Sequence, residues 1–226
     1  MLIEKYTFLR IALGFAALSW VAIAAKWKFL EYITKTATLI ALMAFIWNLR
    51  QGVIFRENVN WLLLAIFFSL IGNVLLMALP NSLTPGLIAF SLALISYILT
   101  LHIPLPAINL AIAIIIVMVG MTSYQIYRRI SQGLGNSREV TLKVLIPIYM
   151  VILSMMVIFS MLTLVSSGWE YYRALLLSAG ALLFLISNIW YAWDRFVEPL
   201  KWGRLRVTIS FHLGQCLLCL GFLMTF

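Results

Sequence analysis

Five polar side chains stand out for where they fall in a largely apolar sequence: Asn73, Tyr149, Asn188, His212 and Gln215. Polar groups in hydrocarbon are costly, so they face the interior of a helix bundle and either pair with one another or serve a function. Among these five residue types, histidine is the one whose unperturbed side chain changes charge near neutral pH. An asparagine or glutamine amide can orient a ligand by hydrogen bonds but neither donates nor accepts a proton as acid or base. His212, Cys216 and Cys219 lie at i, i+4 and i+7 on one helical face. Three ligands on one segment, with no second segment to complete them, fall short of a structural zinc set, and buried cysteine commonly packs as a small hydrophobe. No metal and no cofactor is therefore expected. There is no phosphate-cradling glycine loop and no Ser–His–Asp order. The seven acids (Glu4, Glu31, Glu57, Glu139, Glu170, Asp194 and Glu198) are all assigned to helix ends or loops. Paired intramembrane carboxylates are thus not expected either.

The elements that must position these groups follow from composition. The chain has 226 residues, of which 64% are hydrophobic and only 10% charged. A soluble domain carries about 25% charged residues. That excludes a soluble enzyme and a disordered chain. The net charge of +9 does not point to nucleic acid, because the basic residues punctuate apolar runs instead of clustering on one face. A spanning helix needs about 20 mostly apolar residues, and eight runs qualify: about 7–25, 33–49, 60–79, 85–101, 104–123, 143–165, 171–193 and 205–225. The expected fold is all-α, a polytopic transmembrane bundle forming one domain over 1–226. The links at Pro80–Pro85 and His102–Pro104 are short and uncharged, giving tight hairpins, whereas Tyr124–Thr141 reads as a basic tether. The first run also has signal-peptide features, with Lys5 and Arg10 ahead of an apolar stretch ending in Ala22-Ile23-Ala24-Ala25. Cleavage there would remove a helix that the bundle needs.

Counting Lys and Arg on the two sides gives eleven (Lys26, Lys28, Lys35, Arg128, Arg129, Arg138, Lys143, Arg195, Lys201, Arg204, Arg206) against five (Lys5, Arg10, Arg50, Arg56, Arg173). The positive-inside rule puts the eleven in the cytoplasm and both termini outside, in a bacterial inner membrane or its equivalent. Trp27, Trp47, Trp61, Trp169, Trp193 and Trp202 fall near helix ends, where they anchor at the interface.

With this topology, Asn73, Tyr149, Asn188 and His212 all lie about 9–10 Å in from the cytoplasmic helix ends at 1.5 Å per residue. Gln215 lies one turn deeper. The spacing predicts a polar layer from four helices. On the third helix Ser69, Gly72, Asn73 and Leu76 share a face; on the seventh, Ala181, Phe184, Asn188, Tyr191 and Arg195 do. Each asparagine alone reads as interhelical glue worth about 0.6–2 kcal/mol; a shared level reads better as a lipid pocket. Phe68–Asn73 is echoed by Phe184–Asn188, four helices later, which hints at two four-helix repeats.

At these same residues the sequence resembles the lysoplasmalogenase (YhhN-like) family of eight-helix membrane proteins. Phe68-Ser69-Leu70-Ile71-Gly72-Asn73-Val74-Leu75-Leu76-Met77 is similar to the family's F-S-L-x-G-D-x-x-L-M. Gly86 through Tyr97 is similar to G-x-x-x-F…A-H-x-x-Y, and Ile146-Pro147-Ile148-Tyr149-Met150 to the start of its sixth helix. Gly180-Ala181-Leu182-Leu183-Phe184-Leu185-Ile186-Ser187-Asn188, then Arg195-Phe196, is similar to G-A-x-x-F-x-x-S-D…N-R-F. Phe211-His212-Leu213-Gly214-Gln215 sits at Y-Y-x-A-Q. The resemblance spans helices two to eight.

The resemblance implies hydrolysis of the vinyl ether of lysoplasmalogens to an aldehyde and a glycerophospho-headgroup. Such a reaction protonates the β-carbon and adds water to the oxocarbenium ion, a task for two carboxyls of separated pKa. Here the family's two acids fall on Asn73 and Asn188, and its helix-four histidine falls on Leu94. Ser69, Tyr97, Tyr149, Ser187, Tyr191, Arg195 and Gln215 remain as pocket residues. Lys35 remains too, although the proline that follows it is replaced by Thr36. The expectation is a family member that binds a single-chain lysophospholipid without hydrolysing it. Two other readings stand beside it: a hydrolase in which His212 substitutes for the acids, and a small transporter or structural membrane protein.

Overall fold

The computed structural model describes residues 6–50, 56–101, 109–134, 140–166 and 168–223. Eight helices in that range are long and apolar enough to cross a bilayer. They are α1 (Thr7–Ala24), α2 (Lys28–Leu49), α3 (Arg56–Ala78), α4 (Thr84–Leu101), α5 (Leu110–Leu134), α6 (Val140–Leu162), α7 (Tyr171–Phe196) and α8 (Gly203–Leu223). A single 3₁₀ turn, Thr163–Val165, continues α6. The chain is a multi-pass all-α membrane protein, and no strand occurs among the described residues.

Three of the expected spans are corrected. The run expected at 104–123 begins at Leu110 and continues to Leu134, well into what reads as a basic tether. Its extension is amphipathic. Ile130 and Leu134, four residues apart, are buried while Arg128 and Arg129 stay exposed, so the helix goes on past the last membrane-compatible residue. Residues 104–108 of that expected span lie outside the described residues. Helix α2 begins at Lys28, not 33. Its threonines do not weaken the start, because each hydroxyl donates to a carbonyl one turn back: Thr34 to Leu30, Thr36 to Tyr32 and Thr38 to Thr34. Helix α7 continues from the expected 193 to Phe196, and Asp194 then caps the turn into α8 by accepting the Leu200 N–H at 2.7 Å.

The chain divides into two compact units, with the boundary at the end of α4. In the first, α1 packs on α2 and α2 on α3. The α1 stripe turned inward is Leu9, Ala12, Ala16, Ser19 and Ala22, small residues that let α2 come close. In the second, α5 packs on α6 and both pack on α7. Ser154 Oγ donates to Ser123 Oγ at 2.7 Å across α6 and α5, and Ser178 Oγ to the Ser160 carbonyl at 3.0 Å across α7 and α6. Helix α8 lies against α7 on glycine: a Cβ placed on Gly180, Gly214 or Gly221 would lie 2.8–3.0 Å from backbone atoms of the other helix. Arg173, at the start of α7, donates to the carbonyls of Gly221 (3.2 Å) and Phe222 (2.8 Å). These belong to the last turn of α8, whose carbonyls have no partner within the helix.

Candidate functional site

In the second unit two residues of the expected polar level, Tyr149 and Asn188, are joined across helices. Tyr149 on α6 donates its hydroxyl to Asn188 Oδ1 on α7 at 2.5 Å. Asn188 Nδ2 donates in turn to the Phe184 carbonyl at 2.8 Å. Both ends of this amide are therefore committed, one to a neighbouring helix and one to its own. Counted from the observed helix ends, Tyr149, Asn188 and His212 lie about 12–14 Å in, and Gln215 about 18 Å. His212 and Gln215 on α8 are fully buried, and the His212 ring lies 5.9 Å from that of Phe211. Ser187 Oγ donates to the Val207 carbonyl at 2.9 Å, a second link between α7 and α8. Tyr191 is half-buried and Arg195 exposed at the end of α7. Arg206 lies over the Trp190 ring at 6.0 Å.

The first unit holds Ser69, Asn73 and Tyr97. Ser69 and Tyr97 are buried and Asn73 is half-buried. Asn73 Nδ2 donates to the Ser69 carbonyl at 3.2 Å. Gly72 lets Phe90 of α4 rest on α3: a Cβ there would lie 2.7 Å from the Phe90 ring. Leu94, the position of the family's helix-four histidine, is fully buried.

The YhhN family's sequence model matches residues 30–222. That match covers most of the chain, from α2 to α8. The chain belongs to the YhhN family, the lysoplasmalogenase-like family. No curated protein and no solved structure matches it. As a YhhN-family protein it carries the sixth- and seventh-helix features of the resemblance in one hydrogen-bonded pair, Tyr149 and Asn188.

One charged pair was not anticipated. Glu31, assigned by sequence to a segment ahead of the second helix, lies in the first turn of α2 and is 2% exposed. Its Oε1 accepts from Lys35 Nζ at 2.8 Å. Its place in the first turn of α2 agrees with the expectation of an acid at a helix end, and its burial there adds to that expectation. The signal was present in the sequence. Glu31 and Lys35 are four apart, the spacing of a helical ion pair, and Glu31, Thr34 and Thr38 share one helical face.

Proposed function

We propose that this YhhN-family chain binds a single-chain (lyso)phospholipid in an intramembrane pocket and does not hydrolyse a vinyl ether. The observation that carries this reading is the commitment of the Asn188 amide. Where the family resemblance calls for an acid, the side chain accepts from Tyr149 and donates to Phe184, and offers neither a proton nor a base. General acid–base catalysis is worth about 10²–10⁴-fold per group, so amides at both Asn73 and Asn188 remove the machinery while leaving polar lining. Ser69 and Tyr97 in the first unit, and Ser187, Tyr191, Arg195 and Gln215 in the second, are the positions that the family resemblance implies for lipid binding. The membrane is a bacterial inner membrane or its equivalent, with both termini outside, supported by eleven basic residues on one side against five on the other.

Aldehyde release from a lysoplasmalogen tests the reading. Wild-type protein in detergent is compared with His212→Ala and with the Asn73→Asp/Asn188→Asp double variant. The expected result is no wild-type release, with activity appearing in the double variant. Wild-type turnover lost on His212→Ala would overturn the reading and establish a hydrolase built on His212. Extraction and mass spectrometry of co-purified lipid test binding directly; a reproducibly lipid-free protein would overturn the pocket.

A further inference from the structure

The described charged residues of the second unit lie almost entirely at one of its ends. A Cβ on Gly133 would run into the Phe196 carbonyl, so the last turns of α5 and α7 meet there. Helix α6 starts soon after α5 stops, and α8 soon after α7, which brings four helix ends to that level. Seven basic side chains stand on them, all exposed: Arg128 and Arg129 on α5, Lys143 on α6, Arg195 on α7, Lys201 in the turn that follows, and Arg204 and Arg206 on α8. Two described acids accompany them, and both are turned onto the loop. Asp194 accepts the Leu200 N–H at 2.7 Å and Glu198 the Trp193 indole N–H at 3.3 Å. At the opposite end the described charged residues are Glu170 and Arg173, and Arg173 donates to the carbonyls of Gly221 and Phe222.

Insertion topology accounts for an excess of charge at this end but not for its composition. The positive-inside rule counts lysine and arginine alike, yet five of these seven are arginine. A guanidinium takes two phosphate oxygens at once, whereas an ammonium acts as a point charge. Depth agrees. The helical members lie within about 9 Å of their helix ends at 1.5 Å per residue, and a headgroup layer is about 5–8 Å thick on each face of a bilayer. Aromatic rings are interleaved with the charges. Tyr124 is exposed one turn from Arg128 on α5, and Trp202, 55% exposed, follows Lys201. Trp202 keeps this place at φ 61°, a left-handed conformation that a bulky residue rarely adopts. The turn is fixed by the Asp194 bond and by the Gly203 N–H, which donates to the Leu200 carbonyl at 2.9 Å. A nucleic acid or an acidic protein would meet the charges, but rings at the level where hydrocarbon ends are a feature of lipid contact. We propose that this end of the second unit is a docking surface for anionic phospholipids of the surrounding leaflet. Its arginines take phosphate oxygens in pairs, and Trp202 and Tyr124 lie at the headgroup boundary. The surface concerns the lipid around the protein and stands whether or not the lysolipid reading holds.

For the test, the full chain is reconstituted in nanodiscs of equal phosphatidylcholine and phosphatidylglycerol and released into detergent. Native mass spectrometry then counts the lipid it retains. A basic residue near an anionic surface contributes about fivefold, so the wild type is expected to retain phosphatidylglycerol over phosphatidylcholine by about tenfold or more. The triple variant Arg128→Gln/Arg129→Gln/Arg206→Gln lowers the preference to about twofold or less. Arg128→Lys/Arg129→Lys/Arg206→Lys keeps every positive charge and still loses about half of the preference or more, because the fork is gone. Should the variants fail to fold, release of the wild type in about 1 M salt serves instead, where screening to about 3 Å removes the preference. Equal retention of the two lipids by the wild type overturns the surface. So does a glutamine variant that keeps the wild-type preference, or a preference that survives that salt. A lysine variant indistinguishable from the wild type overturns recognition by arginine and returns the excess charge to topology alone. Displacement of phosphatidylglycerol by millimolar inorganic phosphate overturns the leaflet lipid as the occupant.

Discussion

In the first unit Gly72 and Gly86 face side chains of neighbouring helices; in the second Gly180, Gly214 and Gly221 face backbone. A Cβ on Gly72 would meet the Phe90 ring at 2.7 Å, and one on Gly86 the Leu76 side chain at 2.5 Å. Either neighbour can rotate away. A Cβ on Gly180 would instead meet the Leu218 nitrogen at 2.8 Å and the Gly214 carbonyl at 3.0 Å, and one on Gly221 the Leu177 nitrogen at 2.8 Å. Nothing there can move unless a helix does. The polar groups differ in parallel. The second unit joins its helices by specific hydrogen bonds, Tyr149 to Asn188, Ser187 to Val207 and Ser178 to Ser160. In the first, Ser19 Oγ and Trp20 Nε1 are buried with no partner among the described residues, and a charge pair is buried on α2.

The glycine contrast breaks most decisively by substitution. Gly180→Val and Gly214→Val push α7 from α8, and overpacking of this kind costs about 1–3 kcal/mol or more. The upper end is expected here because backbone is the obstacle. Gly72→Ala and Gly86→Ala, relieved by rotation of Phe90 and Leu76, are expected near the lower end, about 1 kcal/mol. Thermal unfolding in detergent, followed by tryptophan fluorescence, ranks the four variants. A first-unit variant as damaging as Gly214→Val would remove the distinction between the units.

The two asparagines sharpen the same comparison at smaller scale. Tyr149→Phe deletes the donor to Asn188 and leaves a half-buried carbonyl oxygen behind, a loss of about 1 kcal/mol. Asn73→Leu removes only a 3.2 Å bond to its own helix and is expected to change stability by less than about 0.5 kcal/mol. Equal losses at the two sites, read from paired unfolding curves, would mean that the committed amide of Asn188 contributes nothing beyond local packing.

How much of this was legible in the sequence depended on which physical rule the residues obey. Spanning runs were legible because the bilayer imposes a length and a composition, and all eight appear. The ends were less so, since a helix stops where its hydrogen bonding or packing fails and not where apolarity fails: α5 follows Ile130 and Leu134 out past Arg128 and Arg129. The common level of Tyr149, Asn188 and His212 followed from counting at a fixed rise per residue. The bond between Tyr149 and Asn188 did not, because counting gives depth and says nothing about rotation about the helix axis. Glu31 was missed for a related reason. Hydropathy begins the second span after Glu31 and before Lys35, yet an acid four residues ahead of a lysine can enter a helix as a pair. Ser19 has no sequence signal: a serine that lacks a partner looks identical to one that bonds its own carbonyl.

The smallest expected effect concerns the two turns that carry a left-handed residue without glycine, one in each unit. Lys26 has φ 62° and Trp202 φ 61°. At the end of α1 the Lys26 N–H bonds to the Ile23 carbonyl at 3.1 Å and the Trp27 N–H to the Ala22 carbonyl at 2.8 Å. That is the Schellman pattern, and its left-handed position is usually glycine. Relief of strain from Lys26→Gly, about 1–2 kcal/mol, is partly offset by the freedom glycine gains in the unfolded chain. A net stabilisation of about 0.5 kcal/mol is expected. Trp202→Gly relieves the same strain but removes an exposed indole at the mouth of α8, where tryptophan anchors at the membrane interface. It is expected to gain nothing. Unfolding of the two variants in lipid nanodiscs reads the difference directly. A gain for Trp202→Gly equal to that for Lys26→Gly would show that the indole contributes no anchoring, and that the two turns differ only in sequence.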